Sequence, residues 1–285
     1  MTALLAVDGD SFAHRAYHAL PKTIKRAQGR PAGAIVGFAN MLIRLWEAER
    51  PRAVVVAWDT LEAPTYRNEA FPGYQGGRVF DPALLEQLPM LPELVAACGF
   101  AVAKAPGYEA DDFLAAAARA EEARGGTASV ATSDRDAFQL ASERTTILQP
   151  VRGVSELARI GPAEVRERYG VDPAQVPDFI ALRGDPSDKL PGARGVGPKT
   201  AADVLAQYGS LEAALEDGRF AAQAEELRLY RRIATLDASA PLPSLADQSP
   251  TWAGASSLAA DWGLGNLAGR LEALAAEGAD RPSSL

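Results

Sequence analysis

Cysteine is almost missing from this chain: Cys98 is the one thiol in 285 residues. No disulfide framework can form within the chain, and a reducing compartment, the cytoplasm, fits. Cys98 follows Val95, Ala96 and Ala97 and reads as a small buried hydrophobe. Histidine is nearly as scarce. His14 and His18 lie four apart, but no metalloprotease glutamate accompanies them, and a structural role is the expectation. No serine or cysteine elbow with a histidine partner appears, which argues against a nucleophilic hydrolase. Long apolar runs are lacking too, so nothing reads as a membrane span. The run Leu4–Val7 has no basic region before it and stops at Asp8, which makes it a strand and not a signal peptide. Internal repeats at solenoid period and low-complexity tracts are also absent.

Nor is positive charge in excess. Lys and Arg number 29 against 37 Asp and Glu, a net charge of −8, which alone argues against a general phosphate-binding surface. Nine of the acids, however, fall in the clusters described next. Set aside, they leave a nearly neutral remainder that can carry local basic patches, so net charge does not decide the partner.

What the chain does have is a repeated pairing of apolar runs with aspartate. Leu4–Val7 ends in Asp8, Val54–Trp58 in Asp59, and Ser129–Ser133 in Asp134. Each run has the length and β-branched content of a buried strand, and the helix-like stretches between them imply parallel crossovers. Parallel strands leave their C-termini on one side, where open α/β sheets bind ligands. Turn propensity alone also favours aspartate after a strand. The spacing predicts strands at 4–7, 53–58, 100–103, 128–132 and 145–148, with helices over 33–49, 82–97 and 109–123: an α/β fold with a mostly parallel sheet flanked by helices. After residue 150 the strand signal fades. Short helical stretches begin near Pro162, Pro173, Pro198, Ser210 and Ala224, several with proline in the first turn. Two units are expected, 1–160 and 161–285. The segment 240–257 reads as a surface connection and 279–285 as a frayed tail.

More acids stand near the three strand ends. Asp136 follows Asp134, Glu109, Asp111 and Asp112 open the helix over 109–123, and Asp185 and Asp188 come later. Acids also favour helix N-termini through the macrodipole, which would account for one or two of them. Carboxylates brought within about 4 Å cost roughly 4 kcal/mol per close pair at an effective dielectric near 20, so such a nest needs cations. All-oxygen ligation selects Mg²⁺ first and Mn²⁺ next over zinc. The acids suffice for two ions, which at a spacing of about 3.5–4 Å stabilise both the attacking and leaving oxygens of a phosphoryl displacement. Phosphodiester hydrolysis is the chemistry implied.

Two further segments suit nucleic acid. Residues 60–81 are broken by Pro64, Pro72, Gly73, Gly76 and Gly77 and form a long excursion between a strand and a helix. They carry Tyr66, Arg67, Phe71, Tyr74 and Arg78, an interleaving suited to stacking bases and gripping the phosphates of a single strand. An ordinary loop with its aromatics tucked onto the sheet is the alternative. The run Gly192-Ala193-Arg194-Gly195-Val196-Gly197 lies between two helical stretches, the second opening with Pro198, Lys199 and Thr200. Glycines permit close backbone approach and a helix N-terminus offers N–H groups to phosphate, so a hairpin here would hold a duplex without reading its bases. It is not a nucleotide-binding P-loop, because Pro198 separates Gly197 from Lys199 and no strand precedes it.

With these residues assembled, the chain resembles the 5′ nuclease family: the N-terminal 5′-3′ exonuclease domain of bacterial DNA polymerase I and, more distantly, phage and eukaryotic flap endonucleases. The resemblance rests on Val7-Asp8-Gly9, Trp58-Asp59, Gly107-Tyr108-Glu109-Ala110-Asp111-Asp112, Ser133-Asp134-Arg135-Asp136, the stretch from Arg183 to Gly192 and the stretch from Gly195 to Ala201. It spans nearly the whole chain, with no room for a polymerase, so a stand-alone protein is expected. It implies a PIN-like sheet, then a helix-3-turn-helix module with a helix–hairpin–helix, and an arch built from 60–81. It implies that Asp8, Asp59, Glu109 and Asp111 face one metal, and that Asp111 or Asp112, Asp134, Asp136 and Asp185 face the other, with Asp188 acting through water. Arg67, Arg78, Asp111 and Asp134 become the catalytic residues. Tyr66, Arg67, Tyr74, Gln75, Arg78, Gly192, Arg194, Gly195, Gly197, Lys199 and Thr200 become the DNA-binding set, with a monovalent cation such as K⁺ at the hairpin.

The family usually has lysine where Gln75 stands. Glutamine cannot supply that positive charge, so slower turnover is expected, with Gln75→Lys raising it unless a neighbour fills the role. The implied activity is Mg²⁺-dependent cleavage of flapped, nicked or 5′-ended DNA and of RNA–DNA primers, by a monomer working with a separate polymerase and ligase. Two rivals remain at this point: a DNA-structure binder that has lost turnover, and a PIN-type ribonuclease that shares the acids but not the hairpin.

Overall fold

Strand β1 (Leu4–Asp8) is buried at all five positions, and its alternation feeds two cores. Leu4 and Ala6 point to one face of the sheet, Leu5 and Val7 to the other. Around it the computed structural model, which describes residues 3–60, 63–76, 80–152 and 156–279, builds an α/β sheet. Helices α1 (Gly9–Ala19) and α2 (Gly33–Glu49) lead to β2 (Ala53–Ala57). After α3 (Tyr66–Ala70), α4 (Pro82–Leu85) and α5 (Met90–Ala97) come β3 (Ala101–Ala103), α6 (Ala110–Ala123) and β4 (Ala128–Ala131). Strands β5 (Thr145–Arg152) and β6 (Glu156–Ile160) complete six strands in the order β3-β2-β1-β4-β5-β6. All pair in parallel except β5 with β6.

The rest is helical: α7 (Pro162–Tyr169), α8 (Val176–Arg183), α9 (Pro198–Tyr208), α10 (Leu211–Glu216), α11 (Ala224–Ala234), α12 (Trp252–Asp261) and α13 (Gly265–Ala279). Helices α8, α9 and α11 pack through Phe179, Leu182, Leu205 and Ile233 onto the face that carries α6. Helices α12 and α13 do not stay with them. Trp252, Ala255, Leu267 and Leu271 pack beside α2 and α5 on the opposite face, so the last helices return to the sheet. Among the described residues no helix is long and apolar enough to cross a membrane.

The α/β architecture expected from the sequence is the one observed, with differences at its margins. Helix α1 was not anticipated. It starts directly after β1 because Gly9 lies against the Trp58 ring, where a β-carbon would come within 2.7 Å of the ring carbons. The helix expected over 82–97 is two helices, with Pro89 entering α5 as its cap. The antiparallel strand β6 replaces the expected loss of strand structure after 150. Helix α12 begins inside the segment read as a connection, and 280–285 lie outside the described residues.

Cys98 closes α5, buried at 3% exposure, and burial pushes its thiol up to about 12. Native protein is therefore expected to resist alkylation by iodoacetamide at pH 8 and to react stoichiometrically once unfolded, as intact-mass measurement would show.

Candidate active site

Four elements deliver acids to one edge of the sheet. Asp8 ends β1 and caps α1, accepting from the Ser11 N–H at 2.9 Å and from the Thr132 hydroxyl at 2.7 Å. Asp59, just past β2, accepts from the Ala110 N–H at 2.8 Å. Glu109 caps α6 and accepts from the hydroxyls of Thr65 and Tyr74, each at 2.9 Å. Beyond β4, Asp134 accepts from the Asp136 N–H at 2.9 Å. From the helical module, Asp185 accepts from the Ser187 N–H at 2.8 Å, and Asp188 from the Gln75 amide at 3.1 Å.

These side chains share an open cleft of about 860 Å³ lined by Asp8, Asp10, Asp59, Glu109, Asp111, Asp134, Asp136, Asp185 and Asp188. Eight of the nine acids expected from the sequence are there. Asp112 is not. It is fully buried and grips Arg67 through two hydrogen bonds, Nη1 to Oδ2 at 2.9 Å and Nη2 to Oδ1 at 2.8 Å, while also accepting from the Asp237 N–H at 2.8 Å. Neighbouring helix positions point about 100° apart, so only Asp111 of the pair reaches the cleft.

Asp10 was missed. It stands two residues past Asp8 in the first turn of α1, and its Oδ2 accepts from the Asp59 N–H at 2.7 Å, fixing the turn that carries Asp59. Its proximity to Asp8 was the available signal. Arg135, Arg183 and His14 also line the cleft, and the structural role expected for His14 leaves out that position. Its ring stands 5.1 Å from that of Phe80.

The segment read as an arch divides. Arg67, at 1% exposure, is inside the protein and not on a substrate-facing surface. Its Nε donates to the Ile233 carbonyl at 3.0 Å, and Glu109 and Asp111 each lie 3.4 Å from its guanidinium. Its assignment as a catalytic and DNA-contacting group is corrected: it orients acids from behind. Tyr74 is buried with its hydroxyl on Glu109, so it offers no face to a base, and the half-buried Tyr66 donates to Asp112 and to the Thr235 carbonyl. The tucked-aromatic alternative holds for this part. Gln75 does line the cleft. Arg78 lies outside the described residues.

At the hairpin, Arg194, Gly195, Gly197, Lys199 and Thr200 are exposed around the start of α9. Gly192 is buried, and a β-carbon there would come within 2.4 Å of the Gly184 nitrogen. It closes the turn and is not a duplex contact.

Burial and mutual repulsion make this cleft costly. Burial, with Asp59 and Asp134 adding, pushes Asp8 up to about 7 despite its hydrogen bonds. Burial likewise raises Asp111, against the pull of Arg67, and raises Asp136, with Asp134, Asp188 and Asp185 adding. Asp111 Oδ1 is buried with no hydrogen-bond donor. An acid-rich, all-oxygen cleft, in which Asp111 Oδ1 has no hydrogen bond and only the Arg67 guanidinium at 3.4 Å, fits hard divalent cations. Among the described residues no three of these side chains converge into a ready-made coordination shell, so the fit rests on donor chemistry and charge. Asp8→Asn keeps an acceptor for Ser11 and removes a charge. In chelator at pH 8 it is expected to raise Tm by a few degrees, the effect of roughly 1 kcal/mol, and added Mg²⁺ should shrink that difference in a thermal-shift assay.

Comparison with known proteins agrees with this geometry. Residues 3–170 match the 5′-3′ exonuclease N-terminal resolvase-like domain, and residues 171–253 match the 5′-3′ exonuclease C-terminal SAM fold. DNA polymerase I of Mycobacterium bovis is 44% identical over 216 residues, 75% of this chain and 24% of that protein. The thermostable DNA polymerase I of Thermus thermophilus is 38% identical over 250 residues, 84% of this chain and 29% of the relative. The chain thus spans about a quarter of the length of these relatives. In fold it is similar to a bacteriophage T5 flap endonuclease in complex with DNA and metal ions, with a TM-score of 0.70 and 17% identity over 98% of this chain and 100% of that one. The catalytic core of Rad2 with a DNA substrate gives 0.59 and 16%, over 95% of this chain and 90% of that one. Two family domains in consecutive order, over a sheet edge that carries the acids, place the chain in the 5′-3′ exonuclease family.

Proposed function

We propose that the chain is a structure-specific 5′-3′ exonuclease and flap endonuclease that hydrolyses phosphodiester bonds with divalent cations. The observation that supports this most is the acid-lined cleft at the C-terminal sheet edge, bounded by the 63–76 segment and the turn that carries Asp185 and Asp188. Asp8, Asp59, Glu109 and Asp111 would hold one Mg²⁺, and Asp111, Asp134, Asp136 and Asp185 a second, with Asp188 through water and Mn²⁺ able to substitute. Such ions would supply water activation and neutralise the charge that builds on the phosphate.

The chain's own residues do the rest. Arg67, Thr65 and Tyr74 hold the α6 acids in place, and Asp10 and the Ala110 N–H hold Asp59. Gln75 and Asp188 join the arch segment to the turn on the cleft wall. The exposed hairpin, with Arg194, Lys199, Thr200 and the α9 N-terminus, would take the phosphates of the duplex, with K⁺ among its carbonyls. On this reading residues 1–160 form the catalytic unit and 161–285 add duplex binding and the returning helices. The substrates are branched or 5′-ended DNA and RNA–DNA hybrids in replication and repair, including primer and flap removal, by a cytoplasmic monomer whose products pass to a separate polymerase and ligase.

A 5′-labelled flap duplex tests this. With Mg²⁺ the protein is expected to cut near the junction and leave a 5′-phosphate and a 3′-hydroxyl, and with chelator it should only bind. Binding without cutting in both conditions would favour the non-catalytic reading. Preference for single-stranded RNA over the flap would favour the ribonuclease.

A further inference from the structure

Lys189 is held in an unusual backbone state at a conspicuous place. It sits one residue before the end of the tight turn closed by Asp185 and Leu190, whose backbones exchange hydrogen bonds of 2.9 and 2.8 Å. Its φ is +59°, a left-handed conformation that strains a side chain bearing a β-carbon and that glycine adopts freely. Facing it, Gln75 has φ of +47°, and the Gln75 N–H donates to the Asp188 carbonyl at 3.4 Å. The two strained residues therefore meet where the turn touches the arch segment. There a side chain on Gly76 would begin 3.7 Å from the Lys189 Nζ.

The ammonium has no structural employment that would account for this strain. Lys189 is exposed, and among the described residues it makes no hydrogen bond or ion pair. Neighbouring cations are committed. Arg67 is buried on Asp112, and Arg183 donates to Asp185 at 3.1 Å beneath the Tyr169 and Phe179 rings. Gln75 is neutral, and its amide donates to Tyr74 and Asp188. Among the described residues of this turn, which ends beside the acid-lined cleft, Lys189 is a cation without an internal partner. Strain kept at a side chain with no internal partner points to a partner from outside.

We propose that Lys189 is a substrate-contacting residue, binding the phosphate backbone of the cut strand where it passes between the turn and the arch and offsetting the repulsion of the cleft acids. This rests on the nuclease reading above. The revealing variant is Lys189→Gly, which removes the ammonium while relaxing the left-handed backbone, so its Tm should equal or exceed that of the wild type. Its single-turnover cleavage of a 5′ flap at saturating Mg²⁺ is expected to fall roughly tenfold or more, and Lys189→Arg to recover most of that loss. The salt dependence of flap binding in chelator should weaken by about one phosphate contact. Gln75→Lys, which returns a positive charge to the facing side of the contact, should restore the Lys189→Gly rate. Cleavage by Lys189→Gly within about twofold of wild type, with an unchanged salt slope, would overturn the proposal. A wild type that binds but never cuts would defeat the nuclease reading, and the salt slope would then still test Lys189.

Discussion

A flap duplex is expected to survive intact with the double variant Asp111→Asn, Asp134→Asn under conditions in which the wild type cuts it to completion. Both acids line the cleft, from α6 and from the β4 end. The substitutions keep size and leave an acceptor on each side chain. What disappears is two negative charges that would hold cations against the phosphate. A single-turnover rate at least roughly 10³-fold lower is expected, a loss of about 4 kcal/mol of transition-state stabilisation. Binding measured in chelator should not weaken and should tighten slightly, because two charges that repel DNA are gone. Weakened binding in parallel with the rate would mean that these acids support the fold and not the chemistry.

The second large effect concerns stability. Arg67→Met leaves Asp112 fully buried with no cation, and an uncompensated buried charge costs about 3–5 kcal/mol. For a chain of this size a fall in Tm of roughly 10 °C follows. Burial alone would lower the Arg67 pKa, yet Asp111, Asp112 and Glu109 hold it well above the usual arginine range, so the guanidinium stays charged at all working pH values. Arg67→Lys should not rescue, since an ammonium cannot reproduce the two-point grip or the bond to the Ile233 carbonyl. Adding Asp112→Leu to Arg67→Met should recover much of the loss, because the orphaned charge is then removed. Calorimetry on the three variants decides this. If Arg67→Met kept its Tm and lost only cleavage, Arg67 would be a catalytic group after all.

The contrast between these two sites shows what the sequence could and could not reveal. Strands β1, β2 and β4 are apolar runs buried on both faces, and parallel pairing then forces their terminal aspartates to one edge; composition and order suffice. Strand β6, Glu-Leu-Ala-Arg-Ile, has exposed Glu156 and Arg159 with only Ile160 buried, so its strand state comes from pairing with β5 and not from local pattern. Asp111 and Asp112 are chemically alike, and only the phase of α6, set by Leu114, Ala117 and Ala118 packing on the sheet, decides which faces the cleft. Arg67 looked like a substrate clamp because proline and glycine surround it. The Thr65 cap and the short helix α3 turn it inward. Asp10 joins the cleft because Gly9 lets α1 begin without a loop, a packing fact invisible in a single sequence. The strain at Lys189 is equally a property of the folded turn.

Anomalous scattering from a crystal soaked in Mn²⁺ tests the cleft most directly. Two peaks are predicted, one among Asp8, Asp59, Glu109 and Asp111 and the other among Asp111, Asp134, Asp136 and Asp185, with none at Asp112. Absence of manganese from this cleft in crystals that bind it elsewhere would contradict the proposed centre.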